Sequence, residues 1–508
     1  MHKLRLIICA PFLLLLASFL ACNDEESYSS SPQDLLSFST DTVRFDTILS
    51  TVNTPFKAFM VYNKNSKPLL ISSVRLKNSG QSGFKINVNG SSGSSFENVE
   101  VRAKDSLYVF VDIKSDMSMD NQPVLITDYI EFVTNNVRQE VVLEVYNQDV
   151  VIWKGQTLFS DSILDNQLPY LVYDSLVIEE GVSVGIKAGT TFYMHQHAEI
   201  IVKGTLNITG TPENPVTIRG DRMDEMLADV PYNLIPGQWG GIRFTSTSFN
   251  NIFENAHIRN GNYGLNLEVS EPIEPKLTMK NVVLTNAKGI LINSVNCKLI
   301  AENCEFSNSK GALLNLIGGH YNFTHCTMAN YYYSDVQLGL GSSNNETVIL
   351  SNSYFNEKTE EFEYYPVEQA TFYNSIIWGS KYNTSSKISI QAKPESFVSY
   401  YFQNCLIPNA DAANDDVTNT DTIPTVVDCL FNVDPKFKDS NPLTDDNKKY
   451  EFIYDFRIDF LSPARNVANP DIARLIPLDI NGLNRFSDEG PDMGGYECYK
   501  ENEEEVSE

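Results

Sequence analysis

Chemistry would be sought first around two histidines, one charged insertion and a set of clustered aromatics. His195 and His197 flank Gln196, so on a strand both would point to one face. Two imidazoles can begin a metal site, but no third ligand stands nearby at metal spacing, and exposed strand or turn residues are the expectation. The insertion from Arg219 to Pro236 holds Arg219, Asp221, Arg222, Asp224, Glu225, Asp229 and Tyr232, with Trp239 just after it. Mixed charges with aromatics suit a sugar: carboxylates take hydroxyls and rings stack on pyranose faces. The same residues would also serve as a salt-bridged lid. Tyr331, Tyr332 and Tyr333, then Tyr364 and Tyr365, then Trp378 would suit an extended neutral glycan if exposed as a strip, or loop packing if covered. The candidate ligand-binding residues are therefore Arg222, Tyr232, Trp239, Tyr331, Tyr332, Tyr333 and Trp378.

The whole chain bounds what these residues can do. Across 508 residues, Asp and Glu outnumber Lys and Arg 65 to 38, a net charge of −27. That balance argues against binding a nucleic-acid backbone, which needs basic patches. The length suits several domains, or fewer if one is a repeat. Lys3 and Arg5 precede an apolar run from Leu6 to Leu20, the order of a secretion signal over residues 1–21. Phe19-Leu20-Ala21-Cys22 resembles a bacterial lipobox. The resemblance implies cleavage before Cys22 and lipidation there, so the lipid of an outer membrane is the expected anchor. Asn23-Asp24-Glu25-Glu26 opens a Ser-rich linker over residues 22–35 and resembles the surface-export signal of Bacteroidetes-type lipoproteins, which implies a protein facing the cell exterior. No later segment reaches the ~18 apolar residues of a spanning helix.

Residues 36–150 read as short alternating strands separated by Gly, Asn and Ser clusters, the pattern of a β-sandwich. The run Phe56 to Asn63, followed by Lys67-Pro68-Leu69-Leu70-Ile71, resembles the start of an Ig-like module of the ASPM/hydin type. The resemblance implies a spacer or protein-contact module without chemistry.

Residues 151–429 repeat. An apolar, any, Asn, small, any, apolar template recurs with its anchor at Asn255, Asn281, Asn303, His325, Asn352, Asn374 and Asn404, and 22 residues is the commonest interval. A fixed unit with loop insertions gives such spacing. Each strand would stack in parallel on its predecessor, with Asn at the corner, where it tolerates left-handed backbone angles and can bond the next Asn. Across about 240 residues the chain resembles the right-handed parallel β-helix, or pectin-lyase-like, superfamily. Lyases of that superfamily use calcium-binding acids with a basic residue, and its hydrolases use paired acids on adjacent coils. Glu254, Glu302 and Glu305 make no paired-acid column at equal template positions. Cys304, Cys326 and Cys405 share a column with small residues and read as buried thiols. Asp411, Asp415, Asp416 and Asp421 offer calcium only an unspecific loop. No cofactor or metal site is expected.

Residues 430–498 carry Asp455-Phe456-Arg457-Ile458, Ser462-Pro463-Ala464, Pro477 to Gly482 and Pro491 to Glu497. They resemble a closing module found after bacterial surface β-helices, which implies a cap over the last coil, although Arg465-Asn466 departs from the pattern. An acidic tail, 499–508, follows. The expected fold is all-β: sandwich, right-handed parallel β-helix, C-terminal cap. The expected function is a non-catalytic glycan- or protein-binding module at the cell surface. A polysaccharide lyase or glycoside hydrolase is the alternative, and a scaffold in an outer-membrane complex the second.

Overall fold

The structure, a computed structural model, describes residues 27–498 apart from 119, 166, 228–229, 233–234, 333–345, 381–386, 409–424 and 441–453. The signal segment with Cys22, part of the linker, Asp229, Tyr333, the acidic run Asp411 to Asp421 and the tail lie outside the described residues. The described residues are all-β with one large parallel sheet and one short helix, Pro470–Ala473. No described helix is long and apolar enough to cross a membrane. The chain divides into two compact units, Met1–Asp149 and Val150–Glu508.

In the first unit the described strands form a five-stranded and a six-stranded sheet. Their pairings are antiparallel, except that Thr42–Arg44 and Ile48–Leu49 lie parallel to Val137–Gln148. Strand Ser106–Ile113 shows the period of two that sets a sheet face: Leu107, Val109, Val111 and Ile113 are buried, while Tyr108 and Phe110 are exposed. The buried set joins Phe59, Leu69 and Phe132 in one core. Asn63 explains its own motif. Its buried Nδ2 donates to the carbonyls of Lys67, Val101 and Arg102 at 2.9–3.0 Å, tying the turn after its strand to a second loop.

In the large sheet of the second unit, strands pair in parallel with ones further along the chain. Val283 faces Glu305, Ile292 faces Leu314 and Leu299 faces Tyr321, each 22 residues on. Inward residues are apolar, and like stacks on like. The rings of Phe323, Phe372 and Phe402 lie 5.1 and 4.7 Å apart and nearly parallel. At the corners Asn255, Asn281, Asn303, His325, Asn374 and Asn404 all have φ between 49° and 54°. Asn281 Nδ2 donates to Asn255 Oδ1 at 3.1 Å and Asn303 Nδ2 to Asn281 Oδ1 at 3.2 Å. His325 Nε2 lies 2.9 Å from Asn374 Nδ2. Asp428, also left-handed, follows in the same column.

Asn352 does not belong to this column. Its strand, Val348–Ser351, pairs with Leu314–Ile317 and Ile388–Gln391 on another face, and its amide exchanges hydrogen bonds with the backbone of Lys393. After Asn352 the chain leaves on an antiparallel hairpin, Ser353–Asn356 with Glu361–Tyr364, and rejoins the column only at Val367–Tyr373. The step from His325 to Asn374 is therefore one long repeat. A second ladder, Asn266 to Asn293 to Asn315 at 3.0 and 2.8 Å, runs along that other face.

The closing segment shares a core with Leu406 and Leu430 of the last paired strands. It runs back along the flank of the sheet and covers the corner column from Asn303 to Leu430. Gly494 N–H donates to Asn374 O, Gly495 N–H to Thr327 Oγ1, and Asn374 Nδ2 to Asn469 O. Arg485 is fully buried at the joint: Nη1 pairs with Glu497 at 2.5 Å and Nη2 donates to Asn303 Oδ1 at 2.7 Å. Breaking one side of a buried pair leaves the other charge without a partner. Arg485→Ala is expected to lower stability by about 3–5 kcal/mol in urea unfolding. Arg485→Lys should restore little, because one ammonium cannot reproduce the planar fork. A loss within about 0.5 kcal/mol for Arg485→Ala would show that the joint is not essential.

Candidate functional site

Just past the corner column, each repeat presents two outward positions on the same strand. In repeat order the first series is Thr191, Thr217, His257, Val283, Glu305, Thr327 and Ile376. The second is Tyr193, Arg219, Arg259, Thr285, Ser307, Ala329 and Trp378. Strand stacking places successive members about 4.8 Å apart. The two ends of this face have different fates.

The downstream end is filled by the protein itself. Tyr496 Oη donates to Glu305 Oε2 at 2.5 Å, and Ser307 Oγ donates to Glu305 Oε1 at 2.7 Å. Tyr331 packs against Phe437 and Phe456, and Tyr454 donates to its carbonyl. Tyr332 is buried, and Trp378 packs on the same cluster. These aromatics therefore do not form a glycan strip. Their surface is taken by residues about a hundred positions later. Trp239 is likewise no ligand platform: it is wholly enclosed in the core, and its indole N–H donates to Arg259 O at 2.8 Å. Arg222 stacks 3.9 Å over the Tyr232 ring and pairs bidentately with Asp224, so the insertion holds these three against one another.

The upstream end remains partly open. Tyr193 sits beside Arg219, 6.0 Å from ring to guanidinium. Two residues on, His195 Nδ1 lies 2.6 Å from Asp221 Oδ2, with the His195 side chain 42% and that of Asp221 11% exposed. The Tyr173 ring lies 4.3 Å from the His195 ring and carries Lys154 at 5.4 Å on the previous strand. Arg259 extends the Tyr193–Arg219 series by one repeat. The result is a grid: Tyr193 on one strand with His195 just past its end, Arg219 on the next with Asp221 just past its end, and Arg259 on the third. Burial raises the Tyr193 and Tyr173 phenols and lowers the Arg219 guanidinium. Burial, then the Arg219 charge, brings Arg259 down to about 10, and burial followed by Arg259 lowers His257. His197 does not pair with His195. It lies in the turn beyond the strand, at φ 67°.

The sequence marks His195, Arg219 and Asp221 separately, but not Tyr193, Arg259 or the grid they form together. Its signal is the register, since Tyr193 and Arg219 are 26 apart and meet only through strand pairing. On the other face, Arg243 joins Glu199 at 3.2 Å and Glu268 at 3.1 Å, and Tyr263 donates to Glu199. Both carboxylates turn toward one cation rather than toward a space between them, so they do not form an opposed acid pair. Among the described residues no group of three or more His, Cys, Asp or Glu is placed to hold a metal. The six described cysteines are free thiols, with Cys429 Sγ 3.4 Å from the Cys405 amide.

No protein-family model matches the chain, and no curated protein matches it. Solved structures similar to parts of it include a family 123 glycoside hydrolase from Clostridium perfringens, 12% identical, over 26% of this chain and 30% of that one, with a TM-score of 0.17. The chain thus spans less than a third of that hydrolase's length. The catalytic domain of a GH87 alpha-1,3-glucanase in complex with nigerose is 10% identical over 70% of this chain and 82% of that one, at 0.16. The Agl-KA catalytic domain is 10% identical over 75% and 87%, at 0.19. Scores so low carry no argument about this chain's activity.

Glu305 provides a test of the sealed end. Among the described residues it is enclosed with two hydroxyl donors and pairs with no cation, and burial pushes its carboxyl above the usual range. The folded protein then binds this proton more tightly than the unfolded chain. The contribution is complete below the unfolded value of 4.5 and is lost as pH rises through the raised folded value. Glu305→Gln keeps an acceptor without the charge. Thermal melts from about pH 5 to about pH 8 should therefore fall less for Glu305→Gln than for the parent. A steeper fall would mean that the carboxylate is stabilised as an anion.

Proposed function

We propose that the second unit is a right-handed parallel β-helix and the first an Ig-like sandwich, in a surface lipoprotein held by lipid at Cys22. On this reading the β-helix binds an extended glycan without cleaving it, along the open end of the flank. The observation that supports binding is the grid of Tyr193, His195, Arg219 and Asp221, left partly open on a face that the closing segment covers elsewhere. Tyr193 and Tyr173 supply rings for sugar faces. Asp221 and His195 supply a fixed acceptor and donor for hydroxyls. Glycan rings repeat at about the spacing of one or two strands, so a chain laid across the repeats would meet these groups in succession.

A catalytic reading has one observation in its favour. Asp221 holds the His195 imidazole, the pairing a general base would need for proton abstraction, and Arg219 lies in register with Tyr193 two residues before it. One experiment separates the two. The soluble form beginning after Cys22 is run through affinity gels of plant and host polysaccharides, and the same mixtures are assayed for reducing ends and unsaturated-sugar absorbance. Retention without product is expected, weakened about tenfold, or about 1.4 kcal/mol, in Tyr193→Ala. Product that disappears in His195→Ala would replace binding with catalysis. Neither retention nor product would end both readings.

A further inference from the structure

We propose that the ligand of this face is acidic, and that its carboxylate or sulfate seats between Arg219 and Arg259. The proposal rests on the glycan-binding reading and names the substrate class.

The argument begins with a placement that is unfavourable for the protein alone. Parallel register puts the two arginines on neighbouring strands, side by side, with their guanidinium groups on the same face. Both are largely removed from solvent. Like charges held together in such a place repel, and desolvation adds to the penalty. A chain with 65 acidic residues could place one beside them. Among the described residues no carboxylate forms an ion pair with either arginine, whereas Arg44, Arg75, Arg138, Arg222, Arg243, Arg457, Arg465, Arg474 and Arg485 all have one. The nearest acid, Asp221, is directed to His195.

The two arginines differ in how far the fold uses them. Arg219 donates to the carbonyls of Gly220 and Arg222, which steadies the start of the insertion, and Asp221 offsets its charge only in part, without an ion pair. Among the described residues Arg259 has no such role, and its buried Nε has no hydrogen-bond partner. A buried, unsatisfied guanidinium N–H is costly. An oxyanion would satisfy it and offset both positive charges. A planar fork fits the two oxygens of a carboxylate, and equally those of a sulfate ester, in bidentate fashion. Tyr193 and Tyr173 beside the pair accept a sugar ring. An acidic polysaccharide brings both groups on one residue. With the net charge at −27, long-range attraction of a polyanion is absent, and recognition must come from contact within a Debye length of the pair, about 8 Å at physiological salt.

The test uses affinity gels of the soluble form with polygalacturonate, dextran sulfate and neutral dextran. Expected is retention by a charged polymer but not by dextran. Preference for polygalacturonate assigns a carboxylate, and preference for dextran sulfate a sulfate. Arg259→Gln should weaken retention at least tenfold, with a melting temperature equal to or above the parent's. Arg259→Lys should recover only part of it, because charge returns without the fork. Equal retention of neutral dextran, still dependent on Tyr193, would overturn the acidic class while leaving glycan binding intact. Retention of charged polymer unchanged in both Arg219→Gln and Arg259→Gln would move the anion elsewhere and overturn the site. If no polymer of any charge is retained, the glycan-binding reading itself fails.

Discussion

The stacking of repeats from Asn255 to Asp428 depends on a corner that an L-amino acid adopts reluctantly. To stack one repeat on the last, the chain must turn sharply at a fixed position, and at each corner it does so with φ near 50°. Asparagine tolerates that conformation better than most residues, and its amide can bond the corner above or below. The two properties reinforce each other. The backbone preference places the amides in a column, and the column lets neighbouring members bond one another. His325 holds the same position because an imidazole nitrogen can substitute for an amide in the lateral bond.

The column leaves amide groups facing outward, and these must be satisfied as well. Between Asn255 and Asn303 they bond one another. From Asn303 onward the closing segment supplies the partners: Arg485 and Leu478 for Asn303, Gly494 for His325, and Asn469 for Asn374. This explains why the end of the chain is rich in buried polar groups. Asp479, Asp492 and Glu497 each accept backbone N–H groups of the segment itself, shaping it to the flank. Where the segment stops covering the face, the outward residues become aromatic and charged.

How much could be read from the sequence follows from which interactions are local. The repeat and most of its corner residues were legible, because a left-handed corner restricts residue type and recurs at a near-constant interval. Asn352 satisfied the same template and still lies elsewhere, because six residues cannot reveal that the next twelve leave on a hairpin. Tyr331, Trp378 and Trp239 looked like ligand platforms because their covering partners, Phe437, Phe456 and the interior around Arg259, are distant in sequence. The grid was hidden for the opposite reason. His195, Arg219 and Asp221 stand out along the chain only separately, and with Tyr193 and Arg259 they become a site only once the register aligns them. Aligning the repeats on their inward positions and reading the outward ones as columns would have exposed both the grid and the second ladder through Asn266, Asn293 and Asn315.

The contact between Asn303 and Arg485 joins residues 182 apart in sequence. A stack of near-identical repeats would otherwise behave as a one-dimensional polymer, fraying from its free end one unit at a time. Returning the last part of the chain along the flank changes that. The repeats from Asn303 to Leu430 cannot peel away until the strap over them has been released, so loss of the terminal half becomes one concerted event with its own barrier. The same arrangement sets an order during synthesis. The flank is finished only when the final residues emerge, and those residues thus act as the latch on a structure assembled long before them.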